Sequence, residues 1–356
     1  MQIVNLIMFD LRKQFKNIVF IIMAIVFIIF TISQTLEVFC YPVKTEKDIN
    51  TLAKIGEREY IYVKATNDEF VTSTINNMKN NFKALNISKE SVSKFEDVIE
   101  MLRNKGFEYT YEKYKSDEYI EPWLKASKLQ FESKLGNVEQ VNYNIKKSLG
   151  ENGYLNDFHM KYVTYVQICS GFIMLPIFLT MLTRDFKSGT TEIIYSKSIN
   201  PTIYLICKYI ASLILVNILF YTLGLIISLI SAYRFKVYGW DIKYSFFIKD
   251  FIIFILPTTF YLSALIVFLS IILRKTSAIL PIYIVYIIFN VTPKAFGNKV
   301  FSIFSRAVIR LDMGNLNYTD IFINRIMYII IGVLLIIISC KVYRKITYNL
   351  ERMNLS

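Results

Sequence analysis

The chain has 356 residues, 54% of them hydrophobic, with a mean hydropathy of +0.40 and a formal net charge of +13. Soluble domains run at roughly 45–50% apolar. A single water-soluble globule is therefore excluded, and the apolar excess gathers into runs near the roughly 20 residues that a membrane-crossing helix needs. Cys40, Cys169, Cys207 and Cys340 offer no C-x-x-C metal spacing. The single histidine, His159, reads as an interfacial residue rather than a ligand.

Residues 1–17 contain "MFDLRKQFKN", with Arg12, Lys13 and Lys16. This cytosolic segment is either an amphipathic helix on the membrane surface or a plain basic flank. The apolar run from Ile18 to about Leu36 follows. It is longer than the roughly 7–15 residues of a signal-peptide core and has no small-residue cleavage site. Residues 18–40 are therefore expected to be a retained transmembrane helix.

Residues 41–158 hold no run of membrane length. They carry 18 Lys/Arg against 19 Asp/Glu, so the positive charge of the chain lies elsewhere. "YIYVKAT" (60–66) predicts a short strand. "SVSKFEDVIEMLRNKG" places Phe95, Val98, Ile99 and Leu102 at helical spacing, with Gly106 as the stop. "EPWLKASKLQFESKLG" repeats Leu124, Leu129, Phe131 and Leu135 less regularly, after Pro122 in a first turn. A large, mainly helical extracytoplasmic domain is expected. Trp123 and the tyrosines of "FEYTYEKY" either contact a ligand or, the favoured reading, pack the core of this domain.

Residues 159–340 are expected to hold five more spans: about Tyr162–Leu182, Ile203–Ala232, Phe251–Leu273, Ser277–Val291 and Ile326–Cys340. The fold class is thus all-α and polytopic, with six transmembrane helices. Basic residues collect on the cytosolic side. Arg12, Lys13 and Lys16 place the N-terminus there, and the basic tail 341–356, with Lys341, Arg344, Lys345 and Arg352, agrees. Two outer segments are nonetheless basic: Tyr233–Asp250, and the stretch with Lys294, Lys299, Arg306, Arg310 and Arg325. Two readings stay open. Either these charges attract an anionic ligand or lipid headgroup, or they are tolerated interface charges. Within 292–325, "FSIFSRAVIRL" places Phe301, Phe304, Val308 and Leu311 on one helical face. Arg306 and Arg310 turn away, giving an interfacial helix or a soluble cap.

The basic charge sits in short loops and ends, which argues against a nucleic-acid groove. The chain has no phosphate-binding loop; "RKTS" at 274–277 lacks the glycines. Lys208 and Asp250 lie near span ends, where side chains reach headgroups. No acidic proton relay is read within the spans, and Asn217 and Asn290 are assigned to interhelical hydrogen bonds.

The loop 184–202 has unusual internal order. In "RDFKSGTTEIIYSKSINPTIYLICK", Ser188-Gly189 turns the chain, and Thr190 or Thr191 caps a helix with Glu192 in its first turn. Ile193 and Ile194, with Ile199, form an apolar face for a partner or for the lipid surface, and Asn200-Pro201 ends the helix. This stretch resembles the corresponding loop of ABC-2 type transporter permeases. The matching positions are Asp185, Gly189-Thr190, Glu192, Ile193-Ile194, Pro201 and Lys208, although Thr202-Ile203 stand where a basic residue is usual. The six-span layout and the large outer insert are also similar.

The resemblance implies a permease subunit in a bacterial plasma membrane, with both termini cytosolic. It implies a coupling helix whose contact residues are Asp185, Gly189, Thr190, Glu192, Ile193, Ile194 and Pro201. The partners it implies are a separate ATPase subunit, a second permease chain (identical or related) and membrane lipid. ATP would bind on the ATPase, and this chain would hold no cofactor or metal and perform no catalysis. An exporter of peptide, antibiotic or lipid-like substrate follows by analogy with the family. The competing expectations are a membrane-anchored receptor or assembly protein without transport and, least favoured, an intramembrane enzyme.

Overall fold

The computed structural model describes residues 2–56, 60–85, 89–151, 154–187, 200–240, 247–292, 306–309 and 318–354. It is 85% helical. Two compact units emerge: Met1–Phe39 with Asn152–Ser356, and Cys40–Glu151.

In the second unit, Thr45 and Asp48 form a reciprocal capping box, which opens α3 (Glu46–Lys54). Helices α4 (Asn67–Leu85), α5 (Lys89–Lys105), α6 (Phe107–Tyr114), α7 (Ile120–Phe131) and α8 (Val138–Glu151) follow. The predicted α5 face holds: Phe95, Val98, Ile99 and Leu102 are all buried. They pack with Phe70, Met78, Phe107 and Leu124 in one core. Gly106 stops α5 and opens α6 at φ +80°, a left-handed backbone suited to glycine. Trp123 packs edge-on against Phe95, as expected of a core aromatic.

The predicted strand is present as β1 (Tyr62–Lys64). It pairs antiparallel with β2 (Ser133–Leu135), with Val63 opposite Lys134. This pairing corrects the helical reading of "ESKLG". Leu135 belongs to a strand rather than a helix, and Leu129 is 88% exposed instead of joining a core face.

In the first unit, α1 (Gln2–Phe15) and α2 (Ile18–Gln34) meet at a 66° bend, with Asn17 capping α2. The others are α9 (Tyr154–Lys187), α10 (Pro201–Val237), α11 (Phe247–Leu273), α12 (Thr276–Val291) and α13 (Tyr318–Asn354). Among the described residues, four helices are long and apolar enough to cross a membrane, lying in α9, α10, α11 and α13. The bent pair α1–α2 makes a fifth if it is one span. By itself α2 has 17 residues and α12 has 16, or about 24–26 Å of helix against a roughly 30 Å hydrocarbon core.

Helix α11 begins with a single turn, widens into a π-helical turn at Phe251–Ile255, and then continues past Pro257. The wide turn closes through Leu256 N donating to Phe251 O. It absorbs the proline, which has no N–H to give and crowds the preceding turn. Helices α9 and α11 form the centre of the unit, with 72% and 61% of their apolar windows buried. Helices α10 and α13 are less enclosed, with 33% and 28% of their most apolar stretches buried. Helix α13 extends well beyond the predicted Ile326–Cys340 at both ends.

Candidate functional site

Of the predicted contact residues, only Asp185 and Pro201 lie among the described residues. Asp185 lies in the last turn of α9, and Pro201 is the first residue of α10. Gly189, Thr190, Glu192, Ile193 and Ile194 lie outside the described residues. The return helix starts firmly, since Asn200 Oδ1 accepts from Thr202 N at 2.9 Å and Pro201 carries no N–H to satisfy.

Just beyond, Lys208 departs from expectation. It is 2% exposed and does not reach headgroups; Nζ donates to the Met181 carbonyl of α9 at 3.1 Å and lies over the Tyr204 ring. Ser212 Oγ donates to Met181 Sδ at 3.1 Å. Helix α1 packs along the same helix, α10. It buries its polar residues Asp10 and Gln14 and exposes Ile3, Val4, Met8 and Phe9. The charges of Lys208 and Lys13 act on Asp10. Lys208 thus links α10 to α9 near the ends of the loop, and α1 packs on the same helix.

A second polar assembly lies within the same unit. The short non-helical stretch Arg306–Ile309 is buried, and its backbone is held by side chains of four helices. Asn290 Oδ1 of α12 accepts from Ala307 N at 2.8 Å. Asn324 Nδ2 of α13 donates to Arg306 O at 3.0 Å. Gln167 Oε1 of α9 accepts from Ile309 N at 3.1 Å. Arg325 Nη1 of α13 donates to Ala307 O at 3.0 Å and to Thr258 Oγ1 of α11 at 2.6 Å. Arg325 Nη2 donates to Gln167 Oε1 at 3.0 Å. Irregular backbone survives in an apolar surround only when its polar groups are bonded in this way.

Two expectations are corrected here. Arg306 does not turn away from an apolar face; it is 6% exposed. Asn290 serves a loop backbone rather than a neighbouring helix. Val308 is buried as expected, while Phe301, Phe304, Arg310 and Leu311 lie outside the described residues.

A third polar contact joins α9, α10 and α11. His159 is buried, with Nε2 3.1 Å from Ser228 Oγ and Nδ1 3.6 Å from Asp250 Oδ2. The histidine is therefore not a surface residue, and Asp250 points inward with it.

A family model described as ABC-2 family transporter protein matches residues 4–333, nearly the whole chain. The chain belongs to this family. No curated protein and no solved structure matches it. ABC-2 proteins of this kind are permease subunits: integral membrane proteins that are generally not catalytic and typically work with a separate ATPase subunit.

In this ABC-2 protein the predicted coupling loop lies mostly outside the described residues, and the polar assembly is not anticipated by the sequence pattern. The available signal was polarity inside apolar sequence. Gln167 stands in "YVQICSG", and Asn324-Arg325 heads the last apolar run. Intramembrane polar residues mark functional positions by default.

Proposed function

We propose that this permease is the membrane half of an ATP-driven exporter in a bacterial plasma membrane, moving a peptide, antibiotic or lipid-like molecule. Six spans place both termini and the basic tail 341–356 in the cytosol and residues 41–158 outside. The loop 184–202 is the coupling element. Asp185, Gly189, Thr190, Glu192, Ile193, Ile194 and Pro201 meet a separate ATPase that binds the ATP, and a second permease chain, identical or related, completes the pathway.

The observation that best supports this reading is the bracing at the ends of the loop. Lys208 ties α10 to Met181 of α9, and α1 packs on the same helix. Force applied at the loop reaches three helices instead of being absorbed at a hinge.

The test is affinity purification of the solubilised full chain from its native membrane. A stoichiometric ATPase is expected to co-purify, and to be lost with Gly189→Pro or Glu192→Lys. Repeated recovery of the chain without any ATPase refutes the reading.

A further inference from the structure

Among the described residues Arg325 is a cation without a counterion. It is 2% exposed, and its hydrogen-bond acceptors are the oxygens of Thr258, Ala307 and Gln167, all neutral. Among the described residues no carboxylate reaches it. Among the described residues its Nε–H has no acceptor, and neither does Gln167 Nε2, although Gln167 is fully buried.

The orientation of the Gln167 amide is fixed. Oε1 accepts from Ile309 N and Arg325 Nη2 and lies 3.1 Å from the Thr258 hydroxyl. Reversing the amide would set its NH2 group against donors. Both orphaned groups are therefore donors, they belong to bonded neighbours, and one carries a full charge. The partner these donors lack among the described residues is an acceptor, and the charge of Arg325 favours an anionic one. A metal ion or cationic solute would be repelled. Buried unpaired charge is costly, and in membrane proteins it marks ligand and ion paths. Irregular backbone beside such a charge is a usual feature of transporter binding sites.

We propose that Arg325 and Gln167 form a site for one anionic oxygen group, a carboxylate or phosphate, with Arg325 Nε–H and Gln167 Nε2–H as its donors. The group comes from the transported molecule or from a lipid headgroup. Assigning it to a transported molecule rests on the permease reading; the anion site itself does not.

The experiment uses the full chain in phosphatidylcholine nanodiscs, with thermal unfolding followed at constant ionic strength. Sodium acetate or inorganic phosphate replaces sodium chloride in one arm, and phosphatidylglycerol replaces part of the lipid in the other. A saturable rise in melting temperature is expected in at least one arm. Arg325→Gln is expected to weaken half-saturation about tenfold or more, as befits one lost charged hydrogen bond. A response to free acetate or phosphate assigns the site to a solute, and a response to phosphatidylglycerol alone assigns it to lipid.

Gln167→Glu supplies a built-in carboxylate beside Arg325 and covers the case in which Arg325→Gln does not fold. It is expected to melt higher than the native chain in chloride and to lose the anion response. No response in either arm, or a Gln167→Glu protein that melts lower and still responds, overturns the proposal. ATPase co-purification tests the permease reading separately, because the melting response needs no partner.

Discussion

Lys208 Nζ donates to the Met181 carbonyl at 3.1 Å, so α10 is fastened to α9 on the side where the 184–202 loop joins them. The same lysine supplies positive charge to Asp10, which is 3% exposed on the helix packed against α10. Removing Lys208 takes the donor from the buried Met181 carbonyl and the nearby positive charge from Asp10, which costs about 1–3 kcal/mol. Lys208→Met should lower unfolding stability by about that amount, and Asp10→Asn added to it should restore much of the loss. A double-mutant cycle from thermal or denaturant unfolding measures the coupling. Purely additive effects would show that the two charges do not interact.

At Gly224, α10 lies against Phe247 of α11 and Tyr162 of α9. A methyl group added there would fall on the rings of Phe247 and Tyr162. Helix propensity alone favours alanine over glycine by about 1 kcal/mol. Overpacking two buried aromatics costs about 1–3 kcal/mol, so the steric effect should win. Gly224→Ala is expected to lower the melting temperature of the purified protein and Gly224→Leu to prevent folding. A more stable Gly224→Ala protein would show that the rings have room to withdraw.

The parts of the fold that were legible depend on one local pattern. Phe95, Val98, Ile99 and Leu102 recur at helical spacing, and all are buried in the structure. α12 (Thr276–Val291) falls within a residue of its expected start because Arg274-Lys275 and Thr292 bound an apolar run. α13 was underestimated because apolarity was read as length, whereas its helix runs on through Asp320 at one end and Lys341 and Arg344 at the other. Arg306 was misplaced because helical periodicity was applied to a stretch that is not helical at 306–309. The Arg325 assembly was illegible for a different reason. Gln167 and Arg325 stand 158 positions apart, and no local pattern connects them.

In the second unit, Glu69 pairs with Lys134 and accepts from Thr66 N at 3.1 Å. The Lys134 hydrogen bond, followed by the Thr66 contacts, holds its carboxyl down at about 2, from an ordinary 4.5. A depressed carboxyl pKa stabilises the fold above the unfolded value and loses that effect as protons bind the folded state. The contribution of Glu69 should therefore be intact above about pH 4.5 and disappear as pH falls toward 2. Stability measured across that window should fall less steeply for Glu69→Gln than for the native chain. Because the pair is exposed, added salt should weaken the difference. Parallel acid limbs for the two proteins would remove Glu69 from the balance.

The six-span arrangement needs both the bent pair α1–α2 and α12 to cross. The 16 residues of α12 rise about 24 Å, short of a roughly 30 Å core. A crossing therefore requires local thinning of the bilayer or a contribution from flanking residues. If α12 crosses, residue 302 lies on the same side as residue 245, and residue 275 lies opposite. Single cysteines at Ser245, Lys275 and Ser302, each in a background with Cys40, Cys169, Cys207 and Cys340 replaced by serine, separate the alternatives. Treated in intact cells with a membrane-impermeant maleimide, Ser245→Cys and Ser302→Cys should react and Lys275→Cys should not. Reaction at Ser245→Cys with protection at Ser302→Cys would mean that α12 does not cross. The tail after α13 would then lie outside, against the positive-inside bias of Lys341, Arg344 and Lys345.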